Sequence, residues 1–461
     1  MKILIRNGTV VTATDTCRAD ILVDGEKVAA LGRELTSPVD QVYDAAGRYI
    51  LPGAIDVHTH FDMPFGGTVT ADDFQSGTIA AAFGGTTTIV DYAIQSKGQS
   101  LAEAVAAWQK KAEGKAVIDY GFHVAITDLT ESVFSEIPGI VAAGITSLKL
   151  FMAYKGTLQV DDGTLYRTLV KARECGALVC VHAENGDVID VLVRQMLAAG
   201  RTAPLYHALS RPPVLEGEAA GRVITLAEMA GAPVYIVHLS AREALEQVRA
   251  ARDRGVSVFA ETCPQYLFLS LDNYKEPDFQ GAKYVMSPPL REKETAAELW
   301  RGISSGDLQV IGSDHCSFNM AQKRLGQDDF SKIPNGAPGV ETRLMLVYHG
   351  GVGGNRINLN RFVDLVATAP ARLFGLFPRK GTIAPGSDAD LVIFDPEDEF
   401  TISAATHHQN VDYNPYEGLR GKGVPVQVFS RGELIVDHGR FLGRAGRGRY
   451  LQRQPFGLSR L

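Results

Sequence analysis

The chain has 461 residues, 45% apolar and 21% charged, with 46 basic against 53 acidic side chains and a formal charge of −7. An acidic balance offers no footprint for nucleic acid, and the apolar fraction is that of a globular protein able to bury a large core. No apolar run is long enough for a bilayer, the first residues turn polar too soon for a signal peptide, and five scattered cysteines without a C-x-x-C pair argue against a disulfide framework; the expectation is a cytoplasmic protein with no membrane partner.

Residues 1–50 read as short strands, with a hairpin turning at Asp24-Gly25. The texture then changes to apolar runs alternating with helical segments that end in glycine, such as SLAEAVAAWQKKAEG, TLYRTLVKARECG and AREALEQVRAARDRG. In chain order the runs are GAIDVHTH, TTTIVDY, DYGFHVAI, TSLKLFMAY, ALVCVHAE, PVYIVHLS, VSVFAETCP and LQVIGSDHC. Alternating βα units favour a parallel sheet, and eight of them favour a closed α/β (β/α)8 TIM barrel over residues 52–376. Strand texture returns in GSDADLVIFDP and VPVQVFSRGELIVDHGRF. Residues 1–51 and 377–440 are therefore expected to form one small β-sandwich domain, since neither segment has enough apolar surface alone. Residues 441–461 form a C-terminal tail. From Arg440 onward it carries six arginines and no acid, and packing on a neighbouring subunit is expected of it rather than nucleic-acid binding.

Residues suited to metal binding recur at the C-terminal ends of these strands. His58 and His60 stand two apart in DVHTHFDMP, so on an extended segment they aim at one spot. Lys149 lies on the fourth strand, His182 on the fifth, His238 on the sixth and Asp314 on the eighth, at the face where such barrels work. A lone histidine more often caps a strand or closes a core hydrogen bond. The joint pattern points instead to a metal, and four neutral imidazoles with a carboxylate suit zinc or a related divalent ion. Lys149, between Leu148 and Leu150, would be strongly desolvated beside cations and pressed towards its neutral amine. A neutral amine can add CO2 and become a carbamate with two oxygens to share between metals. Two divalent ions carry +4, and Asp314, a carbamate and one hydroxide bring −3.

On these residues the chain resembles the amidohydrolase superfamily, and within it the cyclic amidohydrolases of the D-hydantoinase/dihydropyrimidinase family, over nearly its whole length. DVHTHFDMPFGG, SLKLFMAY, VHAEN, VHLS and GSDHC carry the likeness, and MSPPLR and NGAPGVE are similar to loops that hold the family's substrate. The resemblance implies two zinc ions, with Mn2+, Co2+ or Ni2+ accepted by the same ligands. His58, His60 and Asp314 would hold one, His182 and His238 the other, and Lys149, as N6-carboxylysine, would bridge them. It also implies that Ser287 and Asn335 bind the substrate ring through backbone groups, and that the enzyme is a homotetramer, a homodimer being the alternative.

The chemistry expected is hydrolysis of the cyclic amide bond of hydantoins or dihydropyrimidines to N-carbamoyl amino acids. Metal binding makes water a nucleophile at neutral pH; Asp314 would take its proton and pass it to the leaving ring nitrogen. Tyr154, five residues beyond Lys149, could stabilise the oxyanion. The dihydroorotase branch places an arginine two residues after the second histidine to pair with a substrate carboxylate. Here that position is Asp62, which disfavours an anion. Met63, Phe65, Phe151 and Leu158 are expected to line an apolar opening, so the substrate class is a neutral five- or six-membered cyclic ureide. Another cyclic amidohydrolase such as an allantoinase, or a non-catalytic dihydropyrimidinase-like scaffold, are the alternatives. His123 is expected in the core and His315 facing away from the site, while His207, His349, His407, His408 and His438 read as surface or domain residues. Glu261, at the seventh strand's end, could stand behind a metal ligand.

Overall fold

The computed structural model describes residues 1–457; residues 458–461 of the expected tail, with Arg460, lie outside the described residues. Eight strands pair in chain order: β1 (Ala54–Thr59), β2 (Thr86–Ile94), β3 (Asp119–Ala125), β4 (Ser147–Phe151), β5 (Leu178–His182), β6 (Val234–Ile236), β7 (Val258–Thr262) and β8 (Val310–Ile311). Every neighbouring pair is parallel. Both faces are covered, which is why these strands read as continuous apolar runs rather than alternations; all residues of β1, β3, β4, β5 and β7 are buried.

The ring closes between the last strand and the first. β8 has only two residues in regular pairing, and the seam is completed beyond it: Thr59 bridges His315 in parallel, the His60 amide donates to the His315 carbonyl at 2.8 Å, and the His315 amide donates to the His58 carbonyl at 3.3 Å. The barrel expected from eight βα repeats is therefore the observed fold.

The outer helices start and stop where local chemistry dictates. Leu101–Ala112 opens on a reciprocal Ser100–Glu103 capping box. Asp162–Cys175 is capped by the Asp161 carboxylate and ends at Gly176, whose φ of 74° is the left-handed conformation that glycine takes without penalty.

Strands from both chain ends interleave in the second, β-rich domain. One sheet runs Lys27–Gly32, Asp20–Asp24, Lys2–Arg6, Gln41–Asp44. In the other, Tyr49–Pro52 pairs antiparallel with Leu391–Thr401, which in turn pairs with Arg420–Ser430. Ile3, Ile5, Ile21 and Ile50 pack on Leu391, Ile393 and Phe429 in one core, so neither terminal segment closes without the other.

Buried charge joins this domain to the barrel floor. Lys380 Nζ donates to Asp119, the first residue of β3, and to Asp390, each at 2.6 Å, with Asp388 at 3.0 Å. Burial alone would lower the ammonium's pKa, but the three carboxylates hold it above its ordinary value.

The described part of the tail packs on the barrel of its own chain: Leu451 donates to the Tyr120 carbonyl at 2.7 Å and Phe456 to that of Gly176 at 2.8 Å. Its arginines help to hold it there. Arg453 is buried under the barrel, donating to the Ser147 hydroxyl at 2.9 Å, and Arg447 is buried against Glu433 at 3.0 Å. Among the described residues no helix is long and apolar enough to cross a membrane.

Candidate active site and metal centre

The ends of β1, β4, β5, β6 and β8 deliver their polar residues to one cavity. His58 Nε2 and His60 Nε2 lie 3.2 and 3.3 Å from the same Asp314 oxygen, and ligand atoms of these three residues fall within 4.8 Å of one another. His182 Nδ1 faces His238 Nε2 at 2.9 Å, and the His238 ring stacks on that of His58 with centroids 5.2 Å apart. Lys149 reaches the same cavity from the middle of β4. It is buried, and its Nζ lies 4.8 Å from the Tyr92 ring centre and 5.1 Å from that of Phe151; among the described residues no carboxylate pairs with it.

Three of the site residues sit on left-handed backbone: Tyr154 at φ 68°, His238 at φ 37° and Asp314 at φ 50°. Such conformations cost about 1–3 kcal/mol each and persist only where the surroundings enforce them. Here they turn a side chain inward just as each strand ends.

The donor set fits metal ions. His58 Nε2, which faces Asp314, is buried without a hydrogen-bond partner among the described residues, a costly arrangement unless a cation takes the lone pair. Desolvation, reinforced by neighbouring positive groups, lowers the pKa of His58 and His238, keeping them neutral as ligation requires. Burial also lowers Lys149 to about 8, bringing its neutral amine within physiological reach.

Two carboxylates stand behind the imidazoles. Glu261 accepts from His58 Nδ1 and also from the Tyr235 hydroxyl at 2.9 Å and the His238 amide at 3.1 Å. This fixes the tautomer that leaves His58 Nε2 free for a metal. Glu184 does the same for His182, 2.8 Å from Nε2, which frees Nδ1. Despite burial, the His182 contact and the nearby Arg211 bring Glu184 down to about 2. Glu184 was not singled out in the sequence. Its signal was available, since it follows His182 by two residues in VHAEN as His60 follows His58.

The remaining expected residues line the same cavity: Met63, Phe65, Phe151 and Leu158 contribute apolar wall, and Tyr154, Ser287 and Asn335 line it too, the Tyr154 ring 5.4 Å from that of His182. Ile94, Cys316 and Gly336 also line it and were not anticipated. Burial raises the Tyr154 phenol to about 12, with Ser287 and Asn335 hydrogen-bonding to it, so it remains a proton donor at neutral pH. Asn335 donates to the Ser287 hydroxyl at 3.0 Å.

Of the other histidines, His123 is buried between the Ser147 hydroxyl at 2.6 Å and the Val57 carbonyl at 3.0 Å. His315 turns away to Asp72 at 3.0 Å. His207 corrects the surface expectation: it is buried, with Nε2 donating to the Met286 carbonyl at 2.8 Å, because the helix Leu205–Leu209 folds over the loop that carries Ser287.

Residues 49–435 match the model of the amidohydrolase family. The chain belongs to that family. Among curated amidohydrolases similar to it, a D-hydantoinase of Geobacillus stearothermophilus is 57% identical over 456 residues, 98% of this chain and 97% of that one. A D-phenylhydantoinase of Escherichia coli is 45% identical, with 99% of each chain covered. The crystal structure of a dihydropyrimidinase from Brevibacillus agri matches 99% of this chain and all of its own at TM-score 0.98 and 56% identity. An L-hydantoinase from Arthrobacter aurescens matches at TM-score 0.89 and 30% identity, covering 98% of this chain and 99% of its own. Amidohydrolases of this type depend on a binuclear metal centre, and the His58–His60–Asp314 group is the part of it that this chain presents as a ready ligand cluster.

Proposed function

We propose that this amidohydrolase opens the ring of uncharged cyclic ureides, hydantoins and dihydropyrimidines, by hydrolysing the cyclic amide bond to an N-carbamoyl amino acid. The observation that carries this reading is the convergence of four histidines, Lys149 and Asp314 on a cavity with a wall of Met63, Phe65, Phe151 and Leu158. Among the described residues Lys149 is the one basic residue in that lining besides the histidines, and Asp62, at the arginine position, disfavours a substrate carboxylate.

His58, His60 and Asp314 would hold one divalent cation and His182 with His238 a second, while Lys149, carboxylated by CO2, would bridge them; zinc is the proposed metal. When bound, the pair supplies positive charge that polarises the ring carbonyl and lowers the pKa of water. The remaining work falls to the chain. Asp314 accepts a proton from the attacking water and returns it to the ring nitrogen as the C–N bond breaks, so a C–O bond replaces a C–N bond. Tyr154 donates its hydroxyl to the carbonyl oxygen as negative charge grows there. Backbone groups at Ser287 and Asn335 hold the ring amide, and the apolar wall takes the ring substituent.

Relatives named D-hydantoinase at 50–57% identity support a preference for D-5-substituted hydantoins. A homotetramer in the cytoplasm completes the proposal. The test is one kinetic comparison of dihydrouracil, both enantiomers of a 5-substituted hydantoin, allantoin and dihydroorotate on a metal-defined preparation. Hydantoin and dihydrouracil should lead. A dominant rate on dihydroorotate or allantoin would assign the enzyme to another branch, and no rate on any ring, with metals loaded, would favour the scaffold reading.

A further inference from the structure

Lys323 is fully buried in the short helix Met320–Lys323, yet among the described residues no carboxylate neutralises it. Its Nζ donates instead to three backbone carbonyls: Val285 at 2.9 Å, Pro334 at 2.7 Å and Gly336 at 2.6 Å. Three acceptors need three N–H donors, hence the ammonium form, although burial pushes the group down to about 7. An uncompensated charge inside a protein is a poor way to gain stability, since an apolar side chain of similar volume often serves as well. Its value must lie in what it aligns.

The three carbonyls belong to the two loops that carry Ser287 and Asn335 into the cavity. Those loops are also tied to each other, the Gly336 amide donating to the Val285 carbonyl at 2.9 Å. The Pro334–Asn335 bond is not among the cis peptides, and in a trans peptide the C=O and N–H point to opposite sides. With the Pro334 carbonyl turned to Lys323, the Asn335 N–H is turned the other way, and it has no acceptor among the described residues. Asn335 lines the cavity.

We infer that Lys323 is a positioning residue: its ammonium gathers the two loops and orients the Asn335 peptide so that a free N–H is presented to a carbonyl of the substrate ring. This rests on the functional reading above and deepens it. An N–H fixed in advance needs no reordering when the ring arrives, so its contribution falls on ring binding more than on the chemical step.

The test is Lys323→Met, close in volume and unable to donate, assayed with 5-substituted hydantoin and with metal content measured. KM should rise about tenfold or more, the loss of one well-aligned hydrogen bond, while kcat and metal stoichiometry change little. Lys323→Ala is assayed beside it with added methylammonium or tetramethylammonium. Recovery of KM with the first and not the second supports N–H donation. Equal recovery by both, recovery by neither, or an unchanged KM in Lys323→Met overturns the inference. The wild-type rate on the same ring tests the functional reading on its own, so an active wild type with an indifferent Lys323→Met would sink only the positioning role.

Discussion

Glu261 and His58 form a buried pair in which the carboxylate of β7 accepts the Nδ1 proton of the imidazole of β1. Burial raises Glu261 to about 8, partly offset by Lys149, so its ionised form depends on the positive groups around it. The pair therefore couples the orientation of a proposed metal ligand to the charge of the site. Glu261→Gln should lower metal affinity by about 10–100-fold, the usual cost of losing a carboxylate behind a ligating histidine. Competition with a chromogenic chelator measures it, and wild-type affinity in the variant would deny the coupling.

Lys149 at about 8 sets a pH dependence for assembly of the site. Only the neutral amine adds CO2, and its fraction grows as pH rises through that value. At fixed dissolved CO2, stripped enzyme given zinc should regain activity faster above pH 8 than below, and not at all without CO2. Intact-mass spectrometry should find one added CO2 in the reactivated protein. Recovery in CO2-free buffer would contradict this.

Asp314 has two assigned tasks, and Asp314→Asn removes the proton acceptor while keeping the shape. A fall in kcat of about 10²–10⁴-fold is expected from lost general acid–base catalysis. Metal analysis of the same sample must accompany the assay, because Asp314 also lies beside His58 and His60. A fall that tracks metal loss alone would remove the proton-transfer role.

Tyr154→Phe keeps the ring packing on Phe65 and Phe151, whose centroids lie 5.5 and 6.0 Å away, and deletes the hydroxyl. kcat should drop by about 10²–10³-fold, as for one oxyanion donor, with KM moving much less. A variant changed only in KM would make the hydroxyl a binding group.

Lys380→Met would leave Asp119, Asp388 and Asp390 buried around an apolar side chain. Removing one partner of a buried ion pair costs about 3–5 kcal/mol, to be read as a lowered midpoint in denaturant at neutral pH. The network also fixes an acid response. Asp388 is held down at about 2 from an ordinary 3.8, against burial, chiefly by Lys380. A depressed carboxylate gives stability that is present above pH 3.8 and lost as pH falls through about 2. The wild type should lose stability in that window and Lys380→Met should lose less.

How far these features could be read from the sequence depended on whether the signal was local. β1 to β7 announce themselves because both faces are buried, and the spacing of His58 and His60 points to one spot without knowledge of the fold. β8 was legible only as a run: LQVIGSDHC pairs regularly at Val310 and Ile311 alone, since the chain leaves the ladder to place Asp314. Glu184 carried the same two-residue spacing as the histidine pair and could have been found. His207 and Lys323 could not, because their partners are carbonyls of distant loops, and a carbonyl has no letter in a sequence. The intrachain seat of the tail was not legible either, because Arg447 and Arg453 bond to backbone and side-chain acceptors beneath the barrel that are distant in sequence.

The seam between β8 and β1 would give the proposed metal centre a second office. Regular pairing is thinnest there, and Asp314 lies on one lip while His58 and His60 lie on the other. An ion held by all three would span the joint like a rivet through two overlapping plates. Because such an ion would bind the closed ring and not the open chain, its affinity would add directly to the stability of the closed barrel. On the proposed ligand set, loading and mechanical closure would be one event, and the metal-free enzyme should come apart first along the line where it works.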